Sequence, residues 1–176
     1  MTARLRPGTP ADMEWVRTRK VEVYAQEFGY GPLFGHYVAQ TIPPFLAAMD
    51  PRLDRTWVAE DDAGIVGFIA IHHDAERPGW AKLRWFLVEQ RARGTGIGRD
   101  LFDAALAFAR QASYAGVHLH TVSDLAAARR MYERAGFRLA EESKEPCPWA
   151  PWAHEQEWEL PLAPSRGGGA PPGQSP

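Results

Sequence analysis

The sequence predicts a single mixed α/β (α+β) domain, a sheet of about six to seven strands flanked by about four helices. Three observations point to it. A chain of 176 residues with 45% hydrophobic content can bury one good core and not two. Apolar runs with strand character alternate with helical ones in the order β-α-α-β-β-β-α-β-α-β, with a further strand at the end. One of those strands runs through a glycine-rich turn straight into a helix.

Arg4-Leu5-Arg6 reads as the first strand. Thr9-Pro10-Ala11-Asp12 then offers an N-cap, a proline at N1 and an acid at N3, so a helix starts there. It turns Met13, Val16, Val21 and Tyr24 inward and ends near Phe28-Gly29. A second helical region, about 33 to 49, contains Pro43-Pro44, which remove two backbone donors and are expected to bend or break it. Two β-rich runs, 55–60 and 65–72, flank Asp61-Asp62-Ala63-Gly64, a hairpin signal. Residues 80–88 form the central strand, followed by helix 96–113, strand 116–122, helix 125–135, strand 137–142 and a last strand 155–160. Between the last two strands, Pro146 to His154 reads as a long stiff loop carrying Trp149 and Trp152. The domain is bounded at 1–162; residues 163–176, rich in Gly and Pro, are expected to be a disordered tail.

With 20 basic and 22 acidic residues the formal net charge is −2, which implies neither a nucleic-acid partner nor a membrane surface. A lone cysteine, Cys147, allows no intramolecular disulfide, and the first residues lack an apolar signal core. The expected location is cytoplasmic.

The glycine-rich turn spans Arg91-Ala92-Arg93-Gly94-Thr95-Gly96-Ile97-Gly98-Arg99. Glycines let the backbone approach an anion, the following helix aims free N–H groups at the same point, and Arg91, Arg93 and Arg99 add charge. A P-loop needs Gly-x-x-x-x-Gly-Lys-Ser/Thr, and no lysine lies between Lys82 and Lys144. A dinucleotide fingerprint needs a third glycine where Arg99 stands. The spacing that fits is Arg93-x-x-Gly96-x-Gly98, and about forty residues later comes Ala128-Arg129-Arg130-Met131-Tyr132-Glu133-Arg134-Ala135-Gly136-Phe137.

These two blocks resemble the acetyl-CoA pyrophosphate motif and the closing Tyr-Glu-x-x-Gly-Phe signature of the GNAT superfamily of N-acyltransferases. Through Tyr24-Ala25-Gln26-Glu27-Phe28-Gly29, Ala81-Lys82-Leu83-Arg84 and 121–137, the chain is most similar to GNAT domains fused behind MarR-type regulators. With a first strand near Arg4, no winged-helix domain is expected here. The resemblance implies a central, mostly antiparallel sheet with a splayed β4/β5 pair, acetyl-CoA as acyl donor, and direct attack of a small-molecule amine on the thioester. A CoA-binding sensor and a protein acetyltransferase remain as alternatives.

The resemblance also places residues. The donor is expected on the backbone of Phe86, Leu87 and Val88, on Arg91, Arg93, Gly94, Thr95, Gly96, Ile97, Gly98 and Arg99, and on Ser123, because the relatives' pantetheine-binding asparagine is Leu125 here. Tyr132 matches the acid that protonates the leaving thiolate. The relatives' strand glutamate is replaced by Lys82; strand alternation would put Lys82 and Arg84 on one face with Phe86 and Val88, where they either bind an anionic acceptor group or pair with acids such as Glu60 or Glu76. Glu27, beside Phe28 at the junction of the first two helices, is the first candidate to bind or deprotonate the amine; His120, alternating with His118, is the second. A His-x-His pair is also half of a metal site, but no third ligand shows in the spacing, so no metal is expected. Trp149 and Trp152 either wall the acceptor or pack on the core or a homodimer partner.

Overall fold

The computed structural model describes residues 3–162; the expected disordered tail lies outside them. Seven strands form one sheet in the order β1-β2-β3-β4-β5-β7-β6. They are β1 Arg4–Pro7, β2 Arg55–Asp61, β3 Gly64–His73, β4 Trp80–Val88, β5 Gly116–Val122, β6 Arg138–Cys147 and β7 Ala150–Pro161. The helices are α1 Asp12–Phe28, α2 Pro32–Ala48, α3 Ile97–Gln111 and α4 Ala126–Arg134. Only β4 and β5 run parallel; every other neighbouring pair is antiparallel.

Because side chains alternate along each strand, the sheet carries two cores. One face buries Val66, Ile69, Ile71, Leu83, Val117 and Leu119 against Leu101, Phe102 and Ala105 of α3. The other buries Val58, Phe68 and Ala70 against Met13 and Val16 of α1 and Phe34, Val38, Ile42 and Phe45 of α2. That spacing along α2 keeps it anchored past Pro43-Pro44, so the expected break does not occur and the helix is continuous. At the start of α1, Thr9 is a donor and not a cap acceptor. Its N–H and Oγ1 bond to Asp12 Oδ2 at 2.7 and 2.8 Å, and Arg6 holds the same carboxylate. The buried stripe of α1 is Met13, Val16, Lys20 and Val23, with Val21 only partly covered.

The largest departure is at 142–155. The expected loop is a hairpin between β6 and β7 that turns at Cys147–Ala150. Pro146 lies on the edge strand β6 where the register shifts, Pro148 in the turn, and Pro151 on β7 beyond its pairing with β5, which covers 155–161. Cys147 is thereby buried, and burial pushes its thiol up to about 11. Among the described residues, no helix is long and apolar enough to cross a membrane.

Candidate active site

On the sheet's β4 strand, Arg84 stands opposite Ala70 while Leu87 stands opposite Phe68, so Trp85 and Phe86 together face Ile69. This is a β-bulge, and Trp85 takes a φ of 50° within it. The extra residue inverts the alternation. Lys82 and Arg84 therefore do not share a face with Phe86 and Val88: Trp85 joins the core under α1 and α2, whereas Phe86 and Val88 pack toward the core under α3. Parallel pairing of β4 with β5 stops at Leu83 opposite Leu119. Beyond it the two strands part, leaving the β5-facing backbone groups of Arg84 to Val88 without a strand partner there.

Past Val88 the chain makes a short 3-10 turn, Gln90–Ala92, and then the glycine loop. Gly94 and Gly96 have φ of 80° and 96°, and a Cβ on either would meet nothing within 4 Å. The loop thus needs glycine for its backbone and faces open space. Free N–H groups of the first α3 turn add a positive end to that space. A cleft of about 540 Å³ lies over it, walled by Phe86, Leu87, Val88, Arg93, Gly94, Gly96, Gly98 and Arg99 on one side and by residues 125–128, Met131 and Arg134 on the other.

The side chains of four expected donor residues are engaged elsewhere. Arg91 is paired with Asp61 on β2, and Thr95 Oγ1 donates to Ala92 O at 2.7 Å, bracing the loop from below. Ile97 is buried in the α3 core. Ser123 Oγ accepts from the His154 N–H at 2.9 Å. Arg134 and the first turn of α4 are the cleft residues that the spacing argument did not anticipate.

A second, smaller cavity of about 90 Å³ opens on the α1/α2 face. It is walled by Lys20, Tyr24, Tyr30, Phe34 and Tyr37 from the helical side, by Lys82, Arg84, Trp85 and Phe86 from β4, and by His120, Thr121 and Val122 from β5. Leu125, Tyr132, Trp149 and Glu155 close it. Tyr24, Phe86 and Leu125 line both spaces, so the two meet where β4 and β5 separate.

The structure brings Lys82, Arg84, His120, Tyr132 and Trp149 together. Neither Glu60 nor Glu76 pairs with the two cations: Glu60 is bound to Arg4 and Arg6, and Arg84 reaches the Tyr37 hydroxyl at 3.3 Å. Glu27 and Phe28 are outside this cavity. Phe28 lines the donor cleft, and Glu27 forms a two-pronged pair with Arg93 at 2.6 and 2.9 Å, because the last turn of α1 lies over the glycine loop. Trp152 is exposed, its Nε1 donating to Asp124 at 3.1 Å.

Lys20 and Glu155 are the residues that sequence reasoning missed. Lys20 lies on the inward stripe of α1, four residues after Val16, and its Nζ sits 3.4 Å from Phe86 O and 3.2 Å from the Tyr24 hydroxyl. Glu155 pairs in register with Val122, and burial raises its carboxyl above the ordinary range, Lys82 opposing the shift. Burial also lowers Lys82, with Arg84 adding to the effect. His120 is pushed down to about 4, first by burial and then by Lys82, so it is neutral at physiological pH. Tyr132 is fully buried beside Phe102 and Phe137, which keeps its phenol protonated well above its usual range.

A glycine loop opening a helix, below a bulged strand that parts from its parallel neighbour, is matched by the family model for the Acetyltransferase (GNAT) family over residues 18–137. The chain belongs to that family. GNAT relatives include N-acetylaspartate synthetase of Rattus norvegicus, 37% identical over 90 residues, which are 51% of this chain and 30% of the relative. The chain thus spans about a third of the length of the curated relatives it first matches. An acetyltransferase of the GNAT family from Staphylococcus aureus superposes with a TM-score of 0.72 at 17% identity, covering 92% of this chain and all of its own. A Salmonella typhimurium structure with its cofactor acetyl-CoA superposes at 0.69 and 15% identity, over 97% and 99% of the two chains. Both structural likenesses, at 17% and 15% identity, are likenesses of fold.

Proposed function

We propose that the chain acetylates a small amine that also carries a carboxylate, of the amino-acid class. One observation carries this reading. Around the 90 Å³ cavity stand the cations Lys20, Lys82 and Arg84, together with Trp85 and Trp149, whose buried indole N–H groups have no partner. Buried donors left unsatisfied are costly, and an acceptor carboxylate satisfies them with charge-assisted hydrogen bonds. The name of the curated relative, N-acetylaspartate synthetase, describes acetylation of an amine of this class.

In this reading the splayed β4 backbone at Phe86 to Val88 orients the thioester and stabilises the oxyanion. Glu155, the one carboxylate on the cavity wall, takes the ammonium proton; its raised pKa brings it nearer to a working base. His120, neutral, accepts a hydrogen bond from the amine. As nitrogen bonds to the carbonyl carbon and the carbon–sulfur bond breaks, Tyr132 gives its proton to the thiolate and recovers one from solvent. The enzyme works on a free metabolite in the cytoplasm, where a single buried thiol is stable.

A thiol-release screen with acetyl-CoA tests this proposal, using aminodicarboxylic acids, their amides, simple amines, aminoglycosides and lysine peptides. Acidic amino acids are expected to give the highest kcat/KM. Equal turnover of acids and amides would overturn the carboxylate assignment. Preference for peptides would favour a protein acetyltransferase, and no turnover despite acetyl-CoA binding would favour a sensor.

A further inference from the structure

Beside the acceptor cavity, on the same sheet face, a second set of groups lies outside the chemistry described above. His118 and His120 project from β5 toward Glu157 of β7, which stands in register with His120. His118 Nδ1 is 2.9 Å from Glu157 Oε1, and His120 Nε2 is 3.8 Å from Glu157 Oε2. One ligand atom from each of the three falls within 4.8 Å of the others. On the far side of the His118 ring, Asp74 Oδ2 is 2.8 Å from Nε2. The approach is off the ideal N–H direction, and Nε2 has no hydrogen-bond partner among the described residues.

We propose that His118, His120 and Glu157 bind a divalent transition-metal ion of the Zn²⁺ class. His118 Nδ1 stands 2.9 Å from Glu157 Oε1, which Arg77 Nη1 approaches at 3.6 Å. In the tautomer that leaves Nδ1 unprotonated, its lone pair faces that oxygen and a metal ion can join the two. The metal then makes a chelate, because Glu157 offers its other oxygen to His120. Tetrahedral ligand bonds of about 2.0–2.2 Å set ligand atoms about 3.4 Å apart; the 2.9 and 3.8 Å contacts of Glu157 lie on either side of that spacing, so ring rotations of the two histidines bring the three ligands to it. Two imidazoles and a carboxylate suit a borderline ion and not Ca²⁺ or Mg²⁺. Asp74 takes the place of the outer carboxylate that commonly orients a metal-bound histidine.

The charges around the cluster are mixed. Lys82, opposite His118 on β4, and Arg84 oppose a cation at His120. Arg77 bonds Glu159 and stands 3.6 Å from Glu157. Asp74, 2.8 Å from His118 Nε2, and the Glu157 carboxylate favour a cation. Since His120 also walls the acceptor cavity, an ion here withdraws its lone pair from the amine and slows transfer. The site therefore makes the enzyme sensitive to free zinc.

The test uses the full chain stripped with chelator and titrated with Zn²⁺ against a chromophoric chelator, with Co²⁺ absorption as a second readout. One equivalent is expected to bind, with a visible Co²⁺ band of tetrahedral type. Glu157→Gln and His118→Gln should each weaken binding by about 10- to 100-fold while retaining the circular-dichroism spectrum. Cys147→Ser should leave it unchanged. Absence of a bound equivalent would overturn the proposal, as would equal affinity in folded Glu157→Gln and His118→Gln variants. In that case His118 is simply held beside the Glu157 and Asp74 carboxylates. Neither readout depends on which amine the enzyme acetylates.

Discussion

The donor cleft and the acceptor cavity touch at Tyr24, Phe86 and Leu125, yet they are built on opposite plans. The first half of the donor cleft is backbone, made from one contiguous stretch between Phe86 and Arg99. The acceptor cavity is side chains, drawn from α1, α2, β4, β5, α4 and the β6–β7 hairpin, from Lys20 to Glu155. A backbone site tolerates little at its glycines but is indifferent to its neighbours' charge. A side-chain site can be altered one contact at a time, and each change should move a different kinetic parameter.

Gly96→Asp should have the largest effect. It forces a φ of 96° on a residue with a Cβ and sets a carboxylate in the anion cradle, so acetyl-CoA binding by calorimetry should be abolished. Retained affinity would mean that the loop is not the pyrophosphate site. Tyr132→Phe is next, with a kcat lower by about 10- to 1,000-fold and acetyl-CoA affinity nearly unchanged, since water replaces the phenol only in part. Full activity with chemistry rate-limiting would remove Tyr132 from the mechanism.

Glu155→Gln sharpens the comparison through pH. A base with a raised pKa loses activity as pH falls through that value, so the acidic limb of kcat/KM should lie above the usual carboxylate range. The variant should lose about 10- to 100-fold at neutral pH and flatten the limb. An unchanged limb would move the base to another group. Arg84→Met should then raise KM for an acidic acceptor about 10-fold, the worth of one charge-assisted hydrogen bond, and leave a neutral amine untouched. Equal losses on both would refute its role in binding the carboxylate. Glu27→Gln should be smallest: because Glu27 holds Arg93, it should shift acetyl-CoA affinity by about 3-fold or less, as an exposed ion pair does. A changed acceptor KM would show that the two regions are coupled after all.

How much could be read from the sequence follows the same division. The bounds of strands β4 and β5 were legible to the residue, and the glycine loop with them, because β-rich runs, glycine spacing and the following helix are local signals; the facing of Phe86 and Val88 was not, because the Trp85 bulge inverts the alternation. The β6–β7 hairpin was hidden by Pro146, Pro148 and Pro151, which look like loop residues until Pro146 is seen on the edge strand, Pro148 in the turn and Pro151 beyond the end of β5. Glu27 lies on the last turn of α1, paired with Arg93 over the glycine loop and outside the cavity, a matter of helix rotation that a short motif does not encode. Glu155, and Glu157 beside the two histidines, were invisible because register between strands more than thirty residues apart sets their neighbours. Lys20 was legible in principle from its stripe, but a lysine on an apolar face is easily passed over.

The bulge at Trp85 has one more consequence. It works as a parity switch: residues before it address the acceptor with their even-numbered side chains, and those after it turn the same parity toward α3. On the proposed reading, the residues at 82 and 84 can change to suit a different amine while the contacts of Val88 on the α3 side stay in place. Acceptor choice and donor grip are then separately replaceable parts of a single strand, and Trp85 is the joint between them.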